Sequence, residues 1–154
     1  MIIDIHTHTF PDKIADKTIA GMEKEILKGQ GFAVKHERVA TVLGLIDSTV
    51  SAGIDLSVVC PVATNIAQPE KINKMSAKYN EKSQDTKIFF FGAIHPDCEN
   101  YKEIIDDIVA MDLKAIKLHP DYQKTYFDDE KYIRLMDYAA NKGLGIIVHA
   151  GEDV

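Results

Sequence analysis

Short apolar runs alternate along this chain with longer stretches in which apolar residues recur every three or four positions. The runs cover 2–8, 55–62, 87–94, 114–119 and 144–149. Each is rich in Ile, Val, Phe or Leu, as buried strands are. Helical patterns lie between them. Residues 13–28 place Ile14, Ile19, Met22 and Ile26 near one face, and Gly29 follows as a stop. Residues 37–52 place Val39, Val42, Leu43, Ile46 and Val50 at helical spacing, again ahead of a glycine, Gly53. Residues 69–84 carry Ile72, Met75 and Tyr79, and residues 99–111 carry Tyr101, Ile104, Ile105 and Ile108. Residues 129–142 carry Tyr132, Leu135, Met136 and Ala139, with Gly143 at the end. No repeat, low-complexity run or linker interrupts the series.

The predicted order is strand, two helices, strand, helix, strand, helix, strand, helix, strand. Alternation of this kind means a parallel sheet with right-handed crossovers. Two architectures satisfy it. One is an open, doubly wound five-stranded parallel sheet. The other is the first five units of an eight-stranded (β/α)8 TIM-type barrel, which needs about 250 residues. The 154 residues, read as one domain over 1–154, favour the open sheet on length alone.

Alternation within the strands points the other way. Side chains on a strand change face at every residue. Asp4, His6 and His8 then share one face and Ile3 and Ile5 the other. Lys117 and His119 lie opposite Ile116 and Leu118, and His149 lies opposite Ile146 and Val148. A barrel explains this division, with apolar faces against helices and polar residues at the C-terminal mouth where barrel enzymes do their chemistry.

The pair His6 and His8 is the sharpest signal. Two residues apart on a strand, their Cα atoms are roughly 6.6 Å from each other, so both imidazoles can converge on one cation. The alternative is two histidines hydrogen-bonded near a strand end. His149, closing the fifth run, adds a third imidazole at a strand end, and three protein ligands with an open position is the plan of a catalytic zinc site. Lys117 can carry substrate charge or, if carbamylated, bridge metals; as readily it snorkels to solvent. His119 and His95 each precede a Pro-Asp turn and are candidates for substrate contact or for a structural role. Asp4 is a candidate acceptor orienting a ligand histidine. His36 reads as solvated, Cys60 as core, and Cys98 has no paired base in view. Glu152 and Asp153 either line the mouth or belong to a solvated chain end. No catalytic acid, base or nucleophile can be assigned.

Composition narrows the partners. Eighteen Lys and Arg against 24 Asp and Glu give a formal charge of -6, which argues against nucleic acid or an anionic membrane as partner. Two cysteines do not make a disulfide framework, and no apolar run approaches a membrane span. The first residues lack the pattern of a signal peptide, so the expected location is the cytoplasm.

The run Ile3-Asp4-Ile5-His6-Thr7-His8-Thr9-Phe10-Pro11 resembles the opening of the metal-dependent amidohydrolase superfamily, in the branch related to aminocarboxymuconate-semialdehyde decarboxylase. Residues 92–97, the run 116–123 and residues 148–151 resemble later strand ends of that branch. The resemblance implies a (β/α)8 barrel with a divalent metal in its mouth, zinc first and manganese as an alternative. It implies that His6, His8 and His149 bind that metal. It implies hydrolysis of a C–N or C–O bond, or a non-oxidative decarboxylation, of a small carbonyl or carboxylate substrate, with the metal activating a water. The family's aspartate after strand eight and histidine after strand six have no counterpart before Val154, so this length corresponds to the N-terminal portion, cut after strand five. Strands one and five would then be open edges, and a homo-oligomer or a missing C-terminal half is expected to cover them. Two other readings remain at this point. One is a polymerase-and-histidinol-phosphatase-type phosphoesterase, and the other a non-catalytic remnant or binding module.

Overall fold

The computed structural model describes residues 1–37, 39–82 and 86–150. The elements run β1 (Ile3–Thr7), α1 (Asp12–Gln30), α2 (Val42–Ser51), β2 (Leu56–Val59), α3 (Pro69–Lys82), β3 (Ile88–Phe90), β4 (Gly92–Ala93), α4 (Tyr101–Ala110), β5 (Ala115–Leu118), α5 (Glu130–Asn141) and β6 (Gly145–Val148). Every strand pairing is parallel, in the orders β1-β2-β3 and β4-β5-β6.

The third predicted strand is the hinge between these two sheets. It divides at Phe91: residues below pair with β2 and residues above pair with β5. The Phe91 N–H donates to Val59 O at 3.0 Å, so the ladder with β2 runs up to the break. Changing neighbours strips Phe90 and Ala93 of ladder partners on one side. Two asparagines of α3 replace them. Asn80 accepts from Phe90 N (2.8 Å) and donates to Phe90 O (2.9 Å), and Asn73 does the same for Ala93 N (2.8 Å) and O (3.0 Å). Buried backbone groups must find such partners.

The strands therefore follow one another in sequence order around a single arc. This sets aside the doubly wound sheet, which reverses strand order at a switch point. The packing agrees. Val59, Ile88 and Phe90 pack against Val42, Leu45 and Ile46 of α2 and Tyr79 of α3. Ile116, Leu118 and their neighbours pack with Ile105 and Ile108 of α4 and Tyr132, Leu135 and Ala139 of α5. The opposite face carries Leu56, Val58, Cys60, Phe89, Phe91, Ala115 and Ile147, with no helical residue among them. That second face is the inside of a barrel. Apolar residues fill its lower part, and Lys117, His119 and His149 continue the same alternation at the top, where the sequence pattern placed the polar residues.

Two boundaries and one burial pattern differ from the sequence pattern. Helix α1 runs through Gly29 and ends at Gly31, whose φ of 76° is the left-handed cap that glycine adopts without strain. Helix α2 starts only at Val42, because Thr41 caps it by accepting from Gly44 N. The expected apolar face of α1 is not buried: Ala15 alone is, while Ile14 and Met22 are 48% and 37% exposed. Strand β1 also shows its back, with Ile3 45% and Ile5 54% exposed. Among the described residues no helix is long and apolar enough to cross a membrane.

Candidate metal centre

The top of β1 is shaped by an extra residue. Its register runs Ile3 with Leu56, Asp4 with Ser57, then Thr7 with Val59, three residues against two. Such a bulge re-aims side chains locally. It breaks the simple alternation that grouped Asp4 with His6 and His8. Asp4 accepts from the His6 backbone N–H at 3.2 Å, which steadies the strand end. Beyond the bulge, the Thr7 hydroxyl donates to Val58 O (2.8 Å) and Cys60 N donates to Thr7 O (2.9 Å). Thr7 is thereby fixed to β2, and the residues on either side of it turn to the inner face together.

There the two imidazoles meet. His6 Nε2 and His8 Nε2 lie 3.1 Å apart, a hydrogen-bonded pair as the alternative reading expected, with the rings edge to face at 64°. The Lys117 Nζ, on a side chain buried completely, lies 2.8 Å from the same His6 nitrogen. Burial lowers the basicity of His6, and the Lys117 and His149 charges lower it further, against a small opposing effect of Asp4. His8 is lowered to about 4, first by the loss of surrounding water and then by the His6 and Lys117 charges, although part of the residue stays open at the mouth. A backbone hydrogen bond with Cys60 partly offsets that fall. Both shifts favour the neutral imidazole, which is the form that binds metals.

The geometry suits a divalent ion. Two nitrogens each about 2.05 Å from one tetrahedral ion stand about 3.3 Å apart, close to the 3.1 Å between these two. The trio expected with His149 is not closed, however. Among the described residues no three His, Cys, Asp or Glu side chains group tightly enough to hold one ion. His149 lies near enough for its charge to act on His6, and its ring stacks face to face on His119 at 4.1 Å.

The other candidates sort by position. His119 is buried at the top of β5, between the His149 ring and the Tyr122 ring, which lies parallel at 4.0 Å. His95 is buried in the turn after β4. Its Nδ1 accepts from Asp97 N at 3.3 Å, and Lys131 holds the Asp97 carboxylate at 2.7 Å, a structural arrangement. His36 is not merely solvated. Its backbone N–H and ring both meet the Glu23 carboxylate (2.8 and 2.9 Å), tying the inter-helix connection to α1. Cys60 and Cys98 are buried free thiols whose pKa values are raised, chiefly by burial, which fits core and not nucleophile. Glu152 and Asp153 lie outside the described residues.

Gln123 is the residue that sequence reading overlooked. It is buried, and its amide makes four hydrogen bonds. The nitrogen donates to Ala63 O (2.8 Å) and Ile94 O (2.7 Å), and the oxygen accepts from His119 N (3.0 Å) and the Tyr132 hydroxyl (2.6 Å). One side chain thus joins the loop after β2, the top of β4, the top of β5 and α5. No local signal marks it. A glutamine four residues after a strand-end histidine reads as ordinary loop.

No family model and no curated protein sequence matches the chain. Solved structures do. The 5-carboxyvanillate decarboxylase of Sphingomonas paucimobilis aligns over 96% of this chain and 51% of its own, at 14% identity and a TM-score of 0.71. The 5-carboxyvanillate decarboxylase of Novosphingobium aromaticivorans, complexed with manganese and 4-hydroxy-3-methoxy-5-nitrobenzoic acid, aligns over 97% and 50%, at 17% identity and a TM-score of 0.72. A Staphylococcus aureus protein assigned to the amidohydrolases aligns over 97% and 47%, at 17% identity and a TM-score of 0.63. At such identities the likeness shows the fold, and the chain spans about half the length of the structures it matches.

Proposed function

We propose that this chain is the N-terminal part of a metal-dependent hydrolase or non-oxidative decarboxylase of the amidohydrolase type, with residues 1–154 as one partial barrel domain. The observation that carries the reading is the convergence of two imidazole nitrogens, 3.1 Å apart, on the inner face at the strands' C-terminal ends. The fold shared with decarboxylases, one of them holding manganese, supports it.

A divalent ion there supplies Lewis acidity and an acidified water. His6 and His8 hold it, and His149 joins them from the top of β6 as a third ligand. Zinc is the expected ion for an imidazole set, with manganese the alternative. Lys117 places its Nζ beside that point, 2.8 Å from His6 Nε2, where it would bind a substrate carboxylate. The apolar inner face below, around Val58 and Phe91, keeps water from the lower side. The substrate class is a small carbonyl or carboxylate compound, and two free buried cysteines agree with a cytoplasmic location.

Five strand positions are present in an arc that an eight-stranded barrel would close. Three further strand–helix units, in a continuing segment or another chain, fit between β6 and β1 and bring the remaining ligand and the proton-transfer groups. The test is metal content by elemental analysis with calorimetric titration of Zn²⁺ and Mn²⁺. One ion per chain, lost in His6→Ala and His8→Ala, is expected. Binding below 0.1 equivalent, or binding unchanged in both variants, overturns the reading. Decarboxylation of 5-carboxyvanillate and hydrolysis of small lactones and amides, measured on the metal-loaded protein with its completing segment, then assign the reaction.

A further inference from the structure

Three flat rings stand in a pile at the mouth: Tyr122, His119 and His149. The two gaps are 4.0 and 4.1 Å and the interplanar angles 3° and 5°. Parallel stacking this close on both sides leaves the central ring one orientation. His119 is 4% exposed, its backbone N–H is tied to Gln123, and its Nδ1 accepts from Tyr122 N at 3.4 Å. The middle ring is therefore held by its neighbours in the chain and by the rings stacked on it. His149 differs. It follows the last residue of β6, its N–H bonded to Leu118 O at 3.0 Å, and its ring reaches over the end of β5 to lie on His119.

We propose that His119 and Tyr122 form a positioning clamp that sets the plane of the His149 imidazole, so that one ring edge is presented to the point where His6 and His8 converge. The clamp gives His119 a task distinct from substrate contact or metal ligation. The inference rests on the metal reading above, and His119 and Tyr122 act through His149, without touching the ion.

The shape of the middle ring is what matters, so a flat ring lacking nitrogen must replace it. In His119→Phe, Zn²⁺ and Co²⁺ affinities stay within about threefold of wild type. In His119→Ala and in Tyr122→Ala they fall tenfold or more, the range seen when outer partners of ligand histidines are lost. The Co²⁺ visible spectrum follows the same division. Melting curves at matched concentration identify variants that fail to fold, and Tyr122→Ala, which removes the 39% exposed end of the pile, leaves the core intact. Unchanged affinity in both alanine variants overturns the clamp, as does a His119→Phe variant as weak as His119→Ala. If wild type binds no metal, the metal reading fails by itself. The clamp is then decided by side-chain NMR of labelled histidine in the metal-free protein. A single fixed His149 ring in wild type that averages in His119→Ala supports it, and a ring that averages in both overturns it.

Discussion

Replacing Gln123 by leucine tests whether one amide holds the mouth together. Leucine matches the glutamine closely in volume, so the change removes hydrogen bonds with little change in packing. Four groups lose their partner: Ala63 O, Ile94 O, His119 N and the Tyr132 hydroxyl. Ala63, Ile94 and Tyr132 are fully buried and His119 nearly so. A buried polar group left unsatisfied costs about 1–3 kcal/mol. Four groups at the low end of that range give about 4 kcal/mol, a large part of the roughly 5–15 kcal/mol that keeps a domain folded. For a chain of this size about 4 kcal/mol lowers Tm by about 8–16 °C. Tyr132→Phe removes only one donor and leaves Gln123 bonded to His119, so it lowers Tm by about 2–6 °C. Gln123→Glu keeps both accepted bonds but sets a carboxylate oxygen against two carbonyls. It should be as damaging as leucine at pH 7 and milder at pH 4, where a protonated carboxyl can donate. Thermal melts by circular dichroism and urea titrations at several pH values provide the numbers. A Gln123→Leu protein melting within 3 °C of wild type would show that the four bonds are replaced by water and that the joint is not structural.

Other outcomes follow from the same geometry. Metal at a hundred times its Kd stabilises the folded chain by about 2.7 kcal/mol, so Zn²⁺ should raise Tm by about 5–11 °C and EDTA should abolish the rise. In the metal-free protein His8 has a folded pKa near 4 against 6.5 for the free side chain, so the unfolded chain binds more protons between those values. Its contribution to stability is complete above pH 6.5 and is lost as pH falls toward 4, and denaturant midpoints measured across this window should decline for wild type more than for His8→Ala. Asn73→Leu strips Ala93 of both amide partners and should cost about 2–4 kcal/mol, visible as early unfolding of the β4–β6 half in hydrogen exchange. Thr41→Ala removes the cap of α2 and should cost about 1 kcal/mol by urea titration.

Much of the fold could be read from spacing alone. Alternating apolar runs and helical patterns mark the units, and period two within 114–119 and 144–149 places Lys117, His119 and His149 on the inner face, as observed. The pair His6 and His8 was legible because two residues along a strand bring side chains to one side. What stayed hidden depends on contacts between distant segments. The break at Phe91 needs α3 alongside before Asn73 and Asn80 mean anything. The bulge in β1 exists only as a mismatch with β2. The exposure of α1 could not be foreseen, because a helical apolar stripe gives no indication of whether a surface exists to receive it. Gln123 unites positions 63, 94, 119 and 132, which no local pattern connects.

The sequence-ordered arc has a consequence for how the molecule comes into being. Each strand pairs only with the strand before or after it, so among the described residues no pairing waits for the two chain ends to meet. Assembly can proceed vectorially, one strand–helix unit docking on the last, as the polypeptide emerges from the ribosome. Order can also be lost the same way. The β1 end, with its thinly covered isoleucines, is free to fray while the tightly packed units around β5 and α5 stay folded. His6 of β1 and His8 just beyond it ride on that thinly covered end, and His119 and His149 beside the densely packed one, so the proposed metal centre would join two differently packed parts of the arc.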